Sequence, residues 1–254
     1  MSLVSVANAD VVQPALYGVR SFSNELMSLD LDTGTATSIA TLDYGGVVGM
    51  AYDGASDTLY GASYTSGLLF TIDPTAGRTI AIGRIGNGIS GMTYDNTSGY
   101  LFGVDGVADT LIRIDPSTGQ TTTVGSMGYA GIFGIAIDTA TNRMYAVDNF
   151  VDKFLIIDMS TGQASTIAEL DMKVGGITFD PTTGMLLAVN TNASGDLLYS
   201  IDPMSGQTTL IGDVGYSYIQ GLAFAIPAPG IPAFVFVLSM GVLRRKRSRN
   251  GMCL

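Results

Sequence analysis

One hexapeptide pattern recurs five times in this 254-residue chain, and its spacing restricts the possible folds more than any other feature. It reads "LDLDTG" (29–34), "IDPTAG" (72–77), "IDPSTG" (114–119), "IDMSTG" (157–162) and "IDPMSG" (201–206). The aspartates Asp30, Asp73, Asp115, Asp158 and Asp202 thus lie 43, 42, 43 and 44 residues apart. A second motif keeps the same period: "LYGV" (16–19), "LYGA" (59–62), "LFGV" (101–104), "MYAV" (144–147) and "LLAV" (186–189). A third does too: "GMAYD" (49–53), "GMTYD" (91–95), "GIAID" (134–138), "GITFD" (176–180) and "GLAFA" (221–225). Three markers sharing one period mean five copies of one structural unit.

Each period contains four short apolar segments separated by turn residues. In the third they are "GMTYD", "YLFGV", "TLIRID" and "TTTVGSM". Apolar residues alternate with small or polar ones, and Tyr, Ile, Val and Thr are frequent, as in β-strands. Nothing of helical period and length intervenes. Four strands in 42–44 residues is one blade of a β-propeller, so the expected fold is an all-β, five-bladed ring over residues 10–226. The body opens on the second strand of a blade ("LYGV") and closes on a first strand ("GLAFA"). Residues 221–225 can therefore complete the first blade and hide two sheet edges. An open stack of repeats would leave those edges exposed and lacks capping repeats.

The Asp-Pro-x-Thr-Gly type of turn joins the third and fourth strands. Proline presets φ, aspartate bonds backbone N–H groups, and glycine takes a positive φ. Related turns join the first and second strands: "DNTSG" (95–99), "DTATN" (138–142) and "DPTTG" (180–184). Each of these three carries one carboxylate, whereas calcium takes six to eight oxygen ligands. A structural turn is the expected role. Both turn types fall on one face of the ring.

The opposite face carries loops whose sequences differ between blades, and binding usually resides in such loops. Between the second and third strands are "RSFSNE" (20–25), "SYTSG" (63–67), "DGVADT" (105–110), "DNFVDK" (148–153) and "NTNASGD" (190–196). Their candidate ligand-binding residues are Asp105, Asp109, Asp148, Asn149, Asp152, Asn190, Asn192 and Asp196. Blade-to-blade connections add Tyr44, Tyr129, Tyr216 and Tyr218. Asp105 with Asp109, or Asp148 with Asp152, would be the carboxylate pairs available to glycoside chemistry or a metal.

Composition narrows the function. Seven of the twelve Lys and Arg, and all 22 Asp and Glu, precede residue 227, so the body carries −15 and is unsuited to nucleic acid. There is no histidine, which removes Ser-His-Asp and Cys-His catalysis and His-ligated zinc. The single cysteine, Cys253, has no partner for an internal disulfide.

The last segment departs from this pattern. Residues 231–243 are uncharged and mostly apolar, about 20 Å long as a helix. Five of the next six residues are basic (Arg244, Arg245, Lys246, Arg247 and Arg249), which would hold that end cytoplasmic. Before the apolar run stand Pro227, Ala228, Pro229 and Gly230. This order of proline hinge, short apolar helix and basic cluster resembles the PEP-CTERM sorting signal of exported bacterial proteins, with Ala228 in place of the usual glutamate. The resemblance implies export, transient anchoring in the membrane, and processing by an exosortase-type transpeptidase. At the other end, "ANA" before Asp10 looks like a signal-peptide cleavage site, making residues 1–9 the remnant of a leader.

Two functions are compatible with these features. The first is an exported, non-catalytic propeller at the cell surface or in the matrix, binding polysaccharide or protein and needing no cofactor. The second is a calcium-dependent propeller hydrolase of the lactonase type, which would place Asp, Glu and Asn in the central channel.

Overall fold

The computed structural model describes residues 14–226 apart from 87 and 192–194. The expected leader remnant (1–9) and sorting tail (227–254) lie outside the described residues. Among the described residues twenty strands follow one another. The first blade holds β1 (Ala15–Arg20), β2 (Glu25–Leu29) and β3 (Ala36–Thr41). The second holds β4 (Val47–Asp53), β5 (Thr58–Ser63), β6 (Leu68–Ile72) and β7 (Thr79–Arg84). The third holds β8 (Ile89–Asp95), β9 (Tyr100–Asp105), β10 (Thr110–Ile114) and β11 (Thr121–Ser126). The fourth holds β12 (Ile132–Asp138), β13 (Arg143–Asp148), β14 (Lys153–Ile157) and β15 (Ala164–Glu169). The fifth holds β16 (Val174–Asp180), β17 (Met185–Asn190), β18 (Leu197–Ile201) and β19 (Thr208–Asp213). Finally β20 (Ile219–Ala225) returns to pair with β1, from Ala15 opposite Ala225 to Arg20 opposite Ile219. All five sheets are four-stranded and antiparallel, so the protein is a five-bladed β-propeller closed through β20.

The innermost strands β4, β8, β12, β16 and β20 stand next to one another around the axis. The glycine of the third motif is what lets them approach so closely. A Cβ on Gly91 would sit 3.1 Å from the Cα of Gly134, and one on Gly176 would sit 2.9 Å from the backbone N of Leu222. The residue after each glycine is large and apolar: Met50, Met92, Ile135, Ile177 and Leu222, all buried. These five line both a cavity of about 120 Å³ at the tight-turn end of the channel and one of about 10 Å³ at the other end, so they close its waist.

Between neighbouring blades lie five separate apolar cores, one per interface. The one between the second and third blades packs Ala51, Tyr60, Ala62 and Leu69 against Met92, Leu101, Ile112 and Ile114. At the rim, every outer strand carries a bulge that leaves one residue without a partner across the ladder: Ile39, Ile82, Val124, Ile167 and Ile211. Each bulged residue packs on its local core. The next residue is small (Ala40, Gly83, Gly125, Ala168, Gly212), because the Asp-x-x-x-Gly turn of the following blade rests on it. A Cβ on Gly83 would come within 2.2 Å of the Thr118 carbonyl oxygen, and one on Gly212 within 1.7 Å of that of Thr33. The repeated turn is thus a staple between blades as well as a reversal within one.

Candidate functional site

Antiparallel order within each blade places the turns between first and second strands, and between third and fourth, on one face. All other loops fall on the opposite face, called the loop face here. The turn face is closed by its own aspartates. Asp115 Oδ1 accepts from the backbone N–H and the hydroxyl of Ser117, at 2.7 Å each, while the Gly119 N–H donates to the Asp115 carbonyl at 2.8 Å. Asp53, Asp95, Asp138 and Asp180 are buried and accept from N–H groups two residues on, at 2.8–3.0 Å. Among the described residues no group of three or more Asp, Glu or Cys side chains gathers at metal-binding distance.

On the loop face, the hairpin loops that vary in sequence share one backbone frame. The N–H of Leu42, Ile85, Met127, Leu170 and Val214 donates to the carbonyl of Asn24, Gly67, Asp109, Asp152 and Asp196 respectively, a constant offset of 18 residues. Most polar candidates are parts of that frame. Asp105 caps the N–H groups of Val107 and Ala108, both at 3.0 Å. Asp109 and Asp152 occupy the last turn position, with φ of 54° and 55°. Asp148 is buried, and its carboxylate accepts from the N–H groups of Gly131, Phe150 and Val151. Neither expected carboxylate pair therefore presents two free acids, because one member of each caps the turn that the other helps to form.

Several of the remaining candidates hold loops together across blades. Asn149 donates to the Val174 carbonyl at 2.8 Å and accepts from the Val174 N–H at 2.9 Å, tying the fourth blade to the fifth. Asp196 is buried and accepts from the Ile219 N–H at 2.6 Å, next to the closing strand. Asn190 ends β17, opposite Val174 and Leu197. Tyr129 hydrogen-bonds the Thr166 hydroxyl at 2.9 Å, and Tyr44 packs on Phe70 with ring centroids 5.0 Å apart. Tyr216 lies under the Arg20 guanidinium, 5.5 Å from ring centroid to Cζ. Asn192 lies outside the described residues.

Sequence reasoning passed over the apolar tips of the same loops. Phe22, Val107 and Phe150 stand at equivalent turn positions and are 78, 74 and 67 % exposed. Tyr64 and Val151 are exposed beside them, as is Tyr218, which the sequence did single out. Phe22 meets Tyr218 edge-on at 4.7 Å, and Phe150 meets Phe133 at 6.1 Å. Tyr218 holds a φ of 66°, unusual for an aromatic residue, with its carbonyl accepting from the Ser21 N–H. The signal was present in "SFSN", "GVAD" and "NFVD", where a solvent-facing turn position carries an apolar residue.

The rim around these tips is acidic. Glu25, Asp43, Asp105, Asp109, Asp148, Asp152, Glu169, Asp171, Asp196 and Asp213 lie on this face against four cations. All four cations are engaged. Arg20 pairs with Glu25, Lys153 with Glu169 and Lys173 with Asp152, while Arg84 donates to the Ser66 carbonyl. The Ser23 hydroxyl, and then Arg20, hold the Glu25 carboxyl below the usual carboxylate range, and Lys153 does the same for Glu169.

Residues 92–227 match a family described as a repeat of unknown function, DUF6923. The chain belongs to the DUF6923 family. The DUF6923 match begins within β8 and runs through the third, fourth and fifth blades to just beyond β20. The first two blades carry the same three motifs. No curated protein matches this DUF6923 chain. Many solved structures do, among them the crystal structure of a nidogen/laminin complex. It aligns with a TM-score of 0.63 and 15 % identity over 84 % of this chain and 99 % of the other. That likeness is one of fold.

Proposed function

We propose that this DUF6923 propeller is an exported, non-catalytic binding module whose loop face engages a protein at the cell surface or in the surrounding matrix. The observation that carries this reading is the gathering of Phe22, Tyr64, Val107, Phe150, Val151 and Tyr218 on one face of a rigid ring. Exposed aromatic residues on a stiff frame offer large contact area at small entropic cost, and such residues dominate protein–protein interfaces. The similar fold found in a nidogen/laminin complex supports the protein class of partner. The channel waist supports a non-catalytic role, because it presents the aliphatic Met50, Met92, Ile135, Ile177 and Leu222 where a channel-held calcium ion would need oxygen ligands.

The ends of the described chain bear on how a sorted tail would orient the ring. Ala15 and Ala225 pair at the turn face, and Ile226 lines the channel mouth there. A tail held in a membrane through residues 231–243 would therefore leave from the face opposite the aromatic tips, directing them away from the bilayer. The exosortase-type enzyme would then process the chain at the hinge Pro227–Gly230, with Arg244, Arg245, Lys246 and Arg247 stalling the tail at the membrane.

Two measurements on the protein in its native host, with a full signal peptide upstream, test the two halves. A photo-crosslinking residue at position 150 is expected to capture a protein, while one at position 182 on the turn face is not; equal capture at both would remove the loop-face assignment. Mass spectrometry is expected to find mature chains ending near Pro229. Intact chains soluble in the cytoplasm would remove the sorting half.

A further inference from the structure

The loop face combines two properties that together specify the surface it fits. It carries exposed apolar tips, and the same loops and their neighbours hold ten carboxylates against four cations among the described residues. Asp148 and Asp196 are buried, but the side-chain carboxylates of Asp109 and Asp171 accept no hydrogen bond from any described residue and belong to no ion pair among the described residues. Every described cation on the face is already engaged within it. An acidic partner would thus meet surplus negative charge with no free positive group among the described residues to answer it. A second copy of this chain would meet the same surplus in a face-to-face pair. A basic partner would find unengaged carboxylates interspersed with exposed apolar tips, the arrangement in which charge complementarity steers encounter and apolar burial holds the complex.

Resting on the loop-face reading above, we propose that the partner is a protein surface in which exposed apolar side chains are flanked by Lys or Arg. The apolar groups seat between the tips of Phe22, Tyr218, Val107 and Phe150. The cations lie over the rim at Asp109 and Asp171. Rim contacts of this kind mainly govern encounter and its salt dependence, and the aromatic contacts mainly govern lifetime.

The test uses the full-length chain and two labelled 16-residue amphipathic peptides of equal leucine content, one with Arg and the other with Glu at the polar positions, read by fluorescence anisotropy. The Arg peptide is expected to bind at least tenfold more tightly than the Glu peptide and to weaken as salt is raised. The double variant F22S/F150S should lose that binding at least tenfold. The double variant D109N/D171N should lose it severalfold and flatten the salt dependence. I80S/L210S, which removes exposed apolar residues from outer strands, should leave it unchanged. The basic tail can attract the Glu peptide, but such binding is insensitive to F22S/F150S.

The failures are distinguishable. A Glu peptide that binds as well as the Arg peptide and is lost in F22S/F150S overturns the basic partner while keeping the face. No binding of either peptide, or binding indifferent to F22S/F150S, overturns the face assignment as well. Dimerisation abolished by F22S/F150S in sedimentation, or binding to neutral phosphatidylcholine vesicles abolished by the same change, names a second copy or a lipid surface instead and overturns the proposal.

Discussion

Asp115 shows what one residue does in this repeat. Its side chain closes the turn on Ser117, its carbonyl accepts from Gly119, and the turn it shapes rests on Gly83 of the preceding blade. Asp115→Ala is therefore expected to lower the melting temperature measurably without altering loop-face binding. A calcium-dependent rise in melting temperature that vanishes in this variant would instead make the turn a metal site. The five equivalent aspartates titrate below the usual range. The hydroxyl of Thr33, Thr75, Ser117 or Ser160 is the leading cause for Asp30, Asp73, Asp115 and Asp158, and the Met204 N–H is the leading cause for Asp202. Their folded pKa lies below the unfolded value near 3.9, so the stability they add is present above that value. It drains as the pH falls through the lower folded values. Thermal melts should change little from pH 7 to about 5 and decline gradually below about 4; a flat profile down to pH 2 would contradict this. At the alkaline end, burial and then the nearby Asp53 charge push the Tyr94 phenol up to about 12. Burial and the hydrogen bond to Asp57 raise Tyr52 as well. Ultraviolet titration of the twelve tyrosines should show a late-ionising fraction that disappears partly in Tyr94→Phe.

Among the elements, the outer strand is the one whose requirements are least obvious. It is the most exposed strand of each blade, yet its bulge aims an Ile or Val inward and its following small residue seats the neighbouring turn. The bulge also twists the edge away from pairing with other chains. Gly212→Val is expected to destabilise by about 2 kcal/mol or more, since its side chain would overlap the Thr33 carbonyl and force the fifth and first blades apart. Ala168→Gly, at the equivalent place in the fourth blade, should cost under about 1 kcal/mol, because the seat stays open. Urea denaturation of the two variants makes the comparison. A loss for Gly212→Val no larger than that for Ala168→Gly would mean that the staple is slack.

The whole molecule depends on a pairing between its two ends. β20 completes the first blade and also supplies Leu222 to the channel waist and Ile219 and Phe224 to the core between the fifth and first blades. Deleting residues 219–254 should abolish cooperative melting or lower the midpoint by more than about 10 °C, through loss of a strand and a core at once. Deleting residues 227–254 should leave the midpoint within about 2 °C. Equal midpoints for the two truncations, measured by circular dichroism, would count against closure as the source of stability.

The periodic motifs determined the blade count, the strand order and the closing strand, because five copies of a four-strand pattern with a leftover first strand have one economical arrangement. Asp30, Asp73, Asp115, Asp158 and Asp202 announced their turns, since Asx and glycine chemistry acts within a few residues of chain. The functional candidates fared differently. Asp148, Asn149 and Asp196 look like free polar loop residues in sequence, but each is engaged by N–H groups or a carbonyl that the ring brings close from 17 to 25 residues away. Phe22, Val107 and Phe150 look like ordinary apolar residues, which burial rules would send inward. Only the ring decided their exposure, because each hairpin tip projects beyond the last layer of core and leaves nothing above it. The same distinction governs the glycines of the third motif. Their recurrence was legible, but the reason for it is the approach of five backbones around one axis, a distance that no single blade contains.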